Sequence, residues 1–91
     1  MEEEYKIIKA LIEENKNEEA IEKLDDIISK DDKQEMAYYL KGNIHRKKQD
    51  WANAINNYVK AIDLNPDSPA VQAKNMCIEV LDFFNTDLYN H

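Results

Sequence analysis

Glycine, cysteine and tryptophan each occur once in this chain, and proline twice. So little glycine and proline excludes the many turns of a small β-sandwich or barrel, and no glycine-rich loop is available to cradle a phosphate. The lone Cys77 excludes an intramolecular disulfide framework and fits a reducing compartment. No apolar run approaches the length of a membrane span, and the start Met1-Glu2-Glu3-Glu4 lacks the basic then apolar pattern of a secretory signal. The expected location is therefore cytoplasmic, without a membrane partner.

Catalytic groups are equally sparse. His45 and His91 are the only histidines, and neither stands at a spacing that acid–base, nucleophilic or metal chemistry requires. His45 reads as a packing residue with one satisfied nitrogen, His91 as a chain end, and Cys77 as a thiol with no nearby base to activate it. The acid pairs Glu13-Glu14, Glu18-Glu19 and Asp25-Asp26 are adjacent, so their members do not share a helix face and read as solvated surface. No enzyme activity, metal or cofactor is expected.

What the chain does contain is helix-forming material. Its 91 residues are 43% hydrophobic and 34% charged, rich in Ala, Glu, Lys, Leu and Ile, which points to one small all-α domain with a single core. The formal charge of −7 is uneven. Residues 1–32 carry twelve acids against five bases, residues 33–62 two against six, and residues 63–91 five against one. An acidic balance argues against nucleic acid as a partner, because phosphate binding needs clustered cations. The one cluster is Lys41, Arg46, Lys47 and Lys48. It reads either as cations complementing a helix C-terminus or as a contact surface for an acidic partner.

Apolar spacing predicts five helices. The first runs from Glu2 to Glu14, with Tyr5, Ile8, Leu11 and Ile12 at helical spacing, and is broken by Asn15-Lys16-Asn17. Asn17 suits the N-cap of a second helix that buries Ala20, Ile21, Leu24, Ile27 and Ile28 and stops near Lys30. Asp32 with Glu35 suggests a capping box for the third, which carries Ala37, Leu40 and Ile44 and ends near Lys48. Asp50 caps a fourth helix with Trp51, Ala54, Ile55, Tyr58, Ala61 and Ile62, ending by Asn65 because Pro66 disfavours helix before it. Ser68-Pro69 opens a fifth, from Ala70 to about Phe84.

A 34-residue offset relates these elements. It aligns Tyr5 with Tyr39, Ala20 with Ala54, Ile21 with Ile55 and Ile28 with Ile62, and a period of this size marks stacked supersecondary units. Tyr38, Gly42, Ala54, Tyr58, Ala61 and Pro66, with Trp51, resemble the tetratricopeptide repeat pattern across residues 35–68. Residues 1–34 resemble a degenerate copy, with Ile8 in place of the small residue and Asp32 in place of the proline. Residues 69–91 are similar to the helix that closes such arrays, followed by a tail. Independently of the family, Gly42 and Ala54 would let two antiparallel helices approach closely while Tyr58 and Trp51 fill the space beside them.

The resemblance implies a right-handed α-solenoid whose first helices line a concave groove for a peptide or partner segment. In this chain that stripe is Tyr5, Lys9 and Ile12, then Met36, Tyr39, Asn43 and Arg46, then Ala73 and Cys77. Each set keeps helical i, i+3/i+4, i+7 spacing. Aromatic anchors, an amide and cations suit a protein or peptide partner carrying acid; alternatively, Met36 and Tyr39 complete the packing between repeats. Relatives that bind chaperone tails use a clamp of lysines, asparagines and arginine. Here Tyr5, Lys9 and Leu40 depart from it and only Lys74 matches, which argues against that ligand. At the other end, Phe83, Leu88 and Tyr89 add apolar area that either folds back on the domain or makes an oligomer surface. The expected state is a monomer or a weak homodimer.

Overall fold

Five helices succeed one another: α1 (Glu2–Glu13), α2 (Asn17–Lys30), α3 (Glu35–Lys47), α4 (Trp51–Leu64) and α5 (Ala70–Tyr89). The structure, a computed structural model, describes the backbone of residues 1–89 and the side chains of residues 1–83. Among these residues there is no strand, and no helix is long and apolar enough to cross a membrane.

The 34-residue period is present in the backbone. Asn15 and Gln49, one period apart, adopt left-handed conformations at φ 63° and 61°. In each turn the next residue's amide returns to the helix just ended, Lys16 to the Ile-preceding Leu11 carbonyl and Asp50 to that of His45, both at 2.8 Å. These bonds satisfy helix-end carbonyls that otherwise have no partner. One period also separates the extended Asp31 and Asn65 that end α2 and α4. Each turns its Oδ1 onto the amide two residues on, at 3.0 Å, closing the same local turn.

Caps differ from the sequence expectation in three places. Asn17 is the first helical residue of α2 rather than its cap; Lys16 holds that position, and Asn17 Oδ1 is buried without a hydrogen bond. Asp32 and Glu35 form no capping box, because Gln34 is the N-cap of α3. Glu35 is instead drawn across the fold, its Oε2 accepting the Ser68 hydroxyl at 2.8 Å and its Oε1 the Asn65 amide at 3.4 Å. The Asp32 carbonyl accepts the Tyr38 hydroxyl at 3.1 Å. Asp50 occupies the N-cap of α4 but makes no cap bond; its carboxylate takes the Asn53 side-chain amide at 2.7 Å. Ser68 does act at the start of α5, where its hydroxyl oxygen accepts the Ala70 amide.

Helix α5 runs to Tyr89, about a turn and a half beyond the expected Phe84. Residues 85–89 contain no glycine or proline to stop it.

Packing follows the order of a stack: α3 against α4 most extensively, then α4 against α5, α2 against α3, and α1 against α2. Two clusters form instead of one core, as stacked pairs require. The first holds Tyr5, Ile8, Ile12, Ala20, Leu24, Ile27, Ala37, Leu40 and Ile44; the second holds Tyr38, Ala54, Tyr58, Ala61, Ala70, Ala73 and Cys77. Ile28 and Tyr39 pack against both and join them. The contrast between pairs has a local cause. Gly42 lies against the Tyr58 ring, where any Cβ would overlap it, and the helices close. Ile8, one period earlier, interposes a buried side chain, and α1 and α2 touch less.

Candidate partner-binding face

The nine stripe residues divide sharply by burial. Tyr5, Ile12, Ala73 and Cys77 lie in the two clusters, and Cys77 is wholly enclosed. Met36, Tyr39, Asn43 and Arg46 on α3 are partly exposed, and Lys9 on α1 is exposed. The surface on this side is therefore carried mainly by α3, one residue per turn. Tyr5 is held inward by its hydroxyl, which donates to Gln34 Oε1 at 3.2 Å. Its partner in the period, Tyr39, has no such bond among the described residues and keeps part of its ring at the surface.

Tyr58 on α4 organises this patch from beneath. Its hydroxyl donates to Asn43 Oδ1 at 2.5 Å, and its ring lies 6.1 Å from that of Tyr39, tilted by 42°. The Asn43 carbonyl is thereby engaged, and its amide nitrogen remains the donor it can offer outward. Burial pushes the Tyr58 phenol well above its ordinary value, with the Arg46 charge opposing. Burial raises the Cys77 thiol as well, again opposed by Arg46. Both groups are neutral at pH 7, so the patch carries the uncompensated charge of Arg46. Among the described residues, no carboxylate stands within 4 Å of that guanidinium.

The other cations of the 41–48 cluster are used differently. Lys41 Nζ pairs with Asp25 on α2 at 2.7 Å, with only 20% of its side chain exposed. Lys47 Nζ crosses to the end of α1, donating to the Ile12 carbonyl at 2.7 Å and Asn15 Oδ1 at 2.8 Å. It complements the C-terminus of a neighbouring helix instead of its own. Sequence spacing could not have identified that partner, because it lies 35 residues away. His45 packs with Nδ1 3.3 Å from Asp50 Oδ2, without an aligned hydrogen bond. The expected satisfied nitrogen is thus not found at Nδ1.

The pivotal role of Tyr58 was missed as a feature of the patch, since its place in the repeat pattern accounts only for packing. The signal available was its fifteen-residue separation from Asn43 across a short turn. Of the apolar end, Phe83 is 77% exposed, whereas Leu88 and Tyr89 lie outside the residues whose side chains are described. Among the described residues, no group of three or more His, Cys, Asp or Glu side chains could hold a metal ion.

The model of a family described as TPR repeat matches residues 42–74, from the glycine of α3 through α4 into the first turn of α5. No curated protein matches. The chain is similar to the solution NMR structure of Bacteroides fragilis protein BF1650, with 46% identity and a TM-score of 0.85, over 93% of this chain and 87% of that one.

Proposed function

We propose, from the premise that this chain belongs to the tetratricopeptide repeat family, that its α1–α3–α5 side binds an extended peptide or partner segment bearing acidic side chains. Repeats of this family generally mediate protein–protein interaction, and its domains are typically non-catalytic scaffolds. On this reading residues 1–34 and 35–68 are the two repeats, and residues 69–91 close the array.

The observation that carries the reading is the state of Arg46. It is a partly buried cation, placed one and two turns from Asn43 and Tyr39, with no carboxylate partner among the described residues. An incoming carboxylate gains a charge-assisted, two-pronged hydrogen bond there. The Asn43 amide nitrogen holds a backbone carbonyl, Tyr39 and Met36 supply apolar contact, and Lys9 extends the positive edge. Ala73 and Cys77 shape the floor from α5 without offering polar atoms. With a face this short, affinity for an isolated peptide is modest unless a partner wraps more surface.

A Tyr39→Ala/Arg46→Ala double variant, compared with the parent by affinity capture from native lysate, tests the reading. A folded variant that loses the captured protein supports it; capture unchanged from the parent removes it.

A further inference from the structure

The outer stripe of α5 runs through Gln72, Met76, Glu79 and Phe83, all exposed, with Met76 at 55% and Phe83 at 77%. Met76, Glu79, Val80 and Phe83 line a shallow, mainly apolar cleft there. One 34-residue period earlier, these four positions are Tyr38, Gly42, His45 and Gln49. The first three of these receive α4, while Gln49 lies exposed in the turn after α3. Tyr58 sits on Gly42, Asp50 faces His45 at 3.3 Å, and Lys60 lies 5.6 Å from the Tyr38 ring centroid. Helix α5 thus presents, in register, the face on which a first helix of a pair takes its second.

We propose that this stripe docks a basic amphipathic helix of a partner protein, laid on α5 as α4 lies on α3. The substitutions across the period specify the occupant. Where α3 has Gly42 and α4 answers with bulky Tyr58, α5 has Met76, and the incoming helix needs a small residue at that point. Where α3 has His45 and α4 answers with Asp50, α5 has Glu79, and the incoming helix needs Lys or Arg. A second copy of this chain fits poorly. Two copies would join stripes that each carry Glu79 and no cation, within 63–91 segments of five acids to one base, so neither copy supplies the positive charge that Glu79 calls for.

The probe is a synthetic peptide of residues 50–64 carrying Asp50→Lys and Tyr58→Ala, held helical by a lactam formed, with loss of water, between the side chains introduced by Ala52→Lys and Asn56→Asp, both positions exposed on α4. It is titrated into the nitrogen-15-labelled full chain. Amide shifts centred on Gln72, Met76, Glu79 and Phe83 are expected, with the unmodified bridged peptide binding about tenfold more weakly. Met76→Lys, at an exposed position, abolishes binding, and Glu79→Lys reverses the preference between the two peptides. The Tyr39→Ala/Arg46→Ala variant still binds, which separates this surface from the α3 patch. No binding, equal binding of both peptides, shifts centred on Tyr39, or a homodimer dissolved by Met76→Lys overturns the proposal.

Discussion

Replacing Gly42 by alanine puts a methyl group into the tightest contact of the fold. A Cβ at this position stands 2.5 Å from Tyr58 Cδ1 and 3.0 Å from Cζ, where ordinary contact needs roughly 1 Å more. The ring cannot swing aside cheaply, since Tyr58 is completely buried and its hydroxyl is held by Asn43. Overpacking of this kind costs about 1–3 kcal/mol, and loosening the Tyr58–Asn43 bond adds about 1 kcal/mol. Alanine returns about 1 kcal/mol through its better helix propensity. The net is a loss of about 1–3 kcal/mol, or a fall in Tm of about 5–20 °C for a domain of this size. Circular dichroism melts of parent and variant measure it. In a Tyr58→Leu background the same substitution should cost less, because the obstructing ring is gone. A Gly42→Ala protein at least as stable as the parent is what an open helix surface would give, and it would refute the close α3–α4 contact.

Lys47→Met should destabilise by about 0.5–1.5 kcal/mol in urea titration by uncapping α1, whereas Lys48→Met, which makes no such bond, stays within about 0.5 kcal/mol of the parent. Burial raises the phenols of Tyr58 and Tyr5 in the folded state. Their contribution to stability is therefore fully present below the unfolded tyrosine value of about 10 and is lost as pH rises beyond it. Chemical denaturation at stepped pH should show a decline beginning near pH 10, and a rise in stability there would contradict the burial of these hydroxyls. The raised, enclosed Cys77 thiol should resist an aromatic disulfide reagent at pH 8 and react at the rate of global unfolding; immediate labelling of the native protein contradicts its placement.

The stack was legible because it rests on apolar periodicity. Ala20 and Ala54, Leu24 and Tyr58, and the buried Ile8 one period before Gly42 are all visible as spacing, and the helices they imply are the ones that form. Caps were less legible, because Ser, Asn and Asp near a helix start compete for several local hydrogen bonds. Glu35 shows the difficulty. Its spacing from Asp32 suggests a local box, but its carboxylate goes to Ser68, thirty-three residues on. The stripe was legible as a helix face but not in depth. Tyr5 and Tyr39 are identical in sequence and one period apart, yet Gln34 draws Tyr5 inward while Tyr39 remains partly exposed between the two clusters. Only the neighbours of a side chain, contributed by other helices, decide that.

Photo-crosslinking in native lysate tests the binding face most directly, with a benzophenone amino acid placed either at Lys9 on α1, within the proposed face, or at Glu22 on α2, outside it. Both positions are exposed, so neither label disturbs the core. A protein is expected to be trapped from position 9 and not from position 22, and Arg46→Glu abolishes the adduct. The same protein trapped equally from both positions, or unaffected by Arg46→Glu, would contradict the binding face.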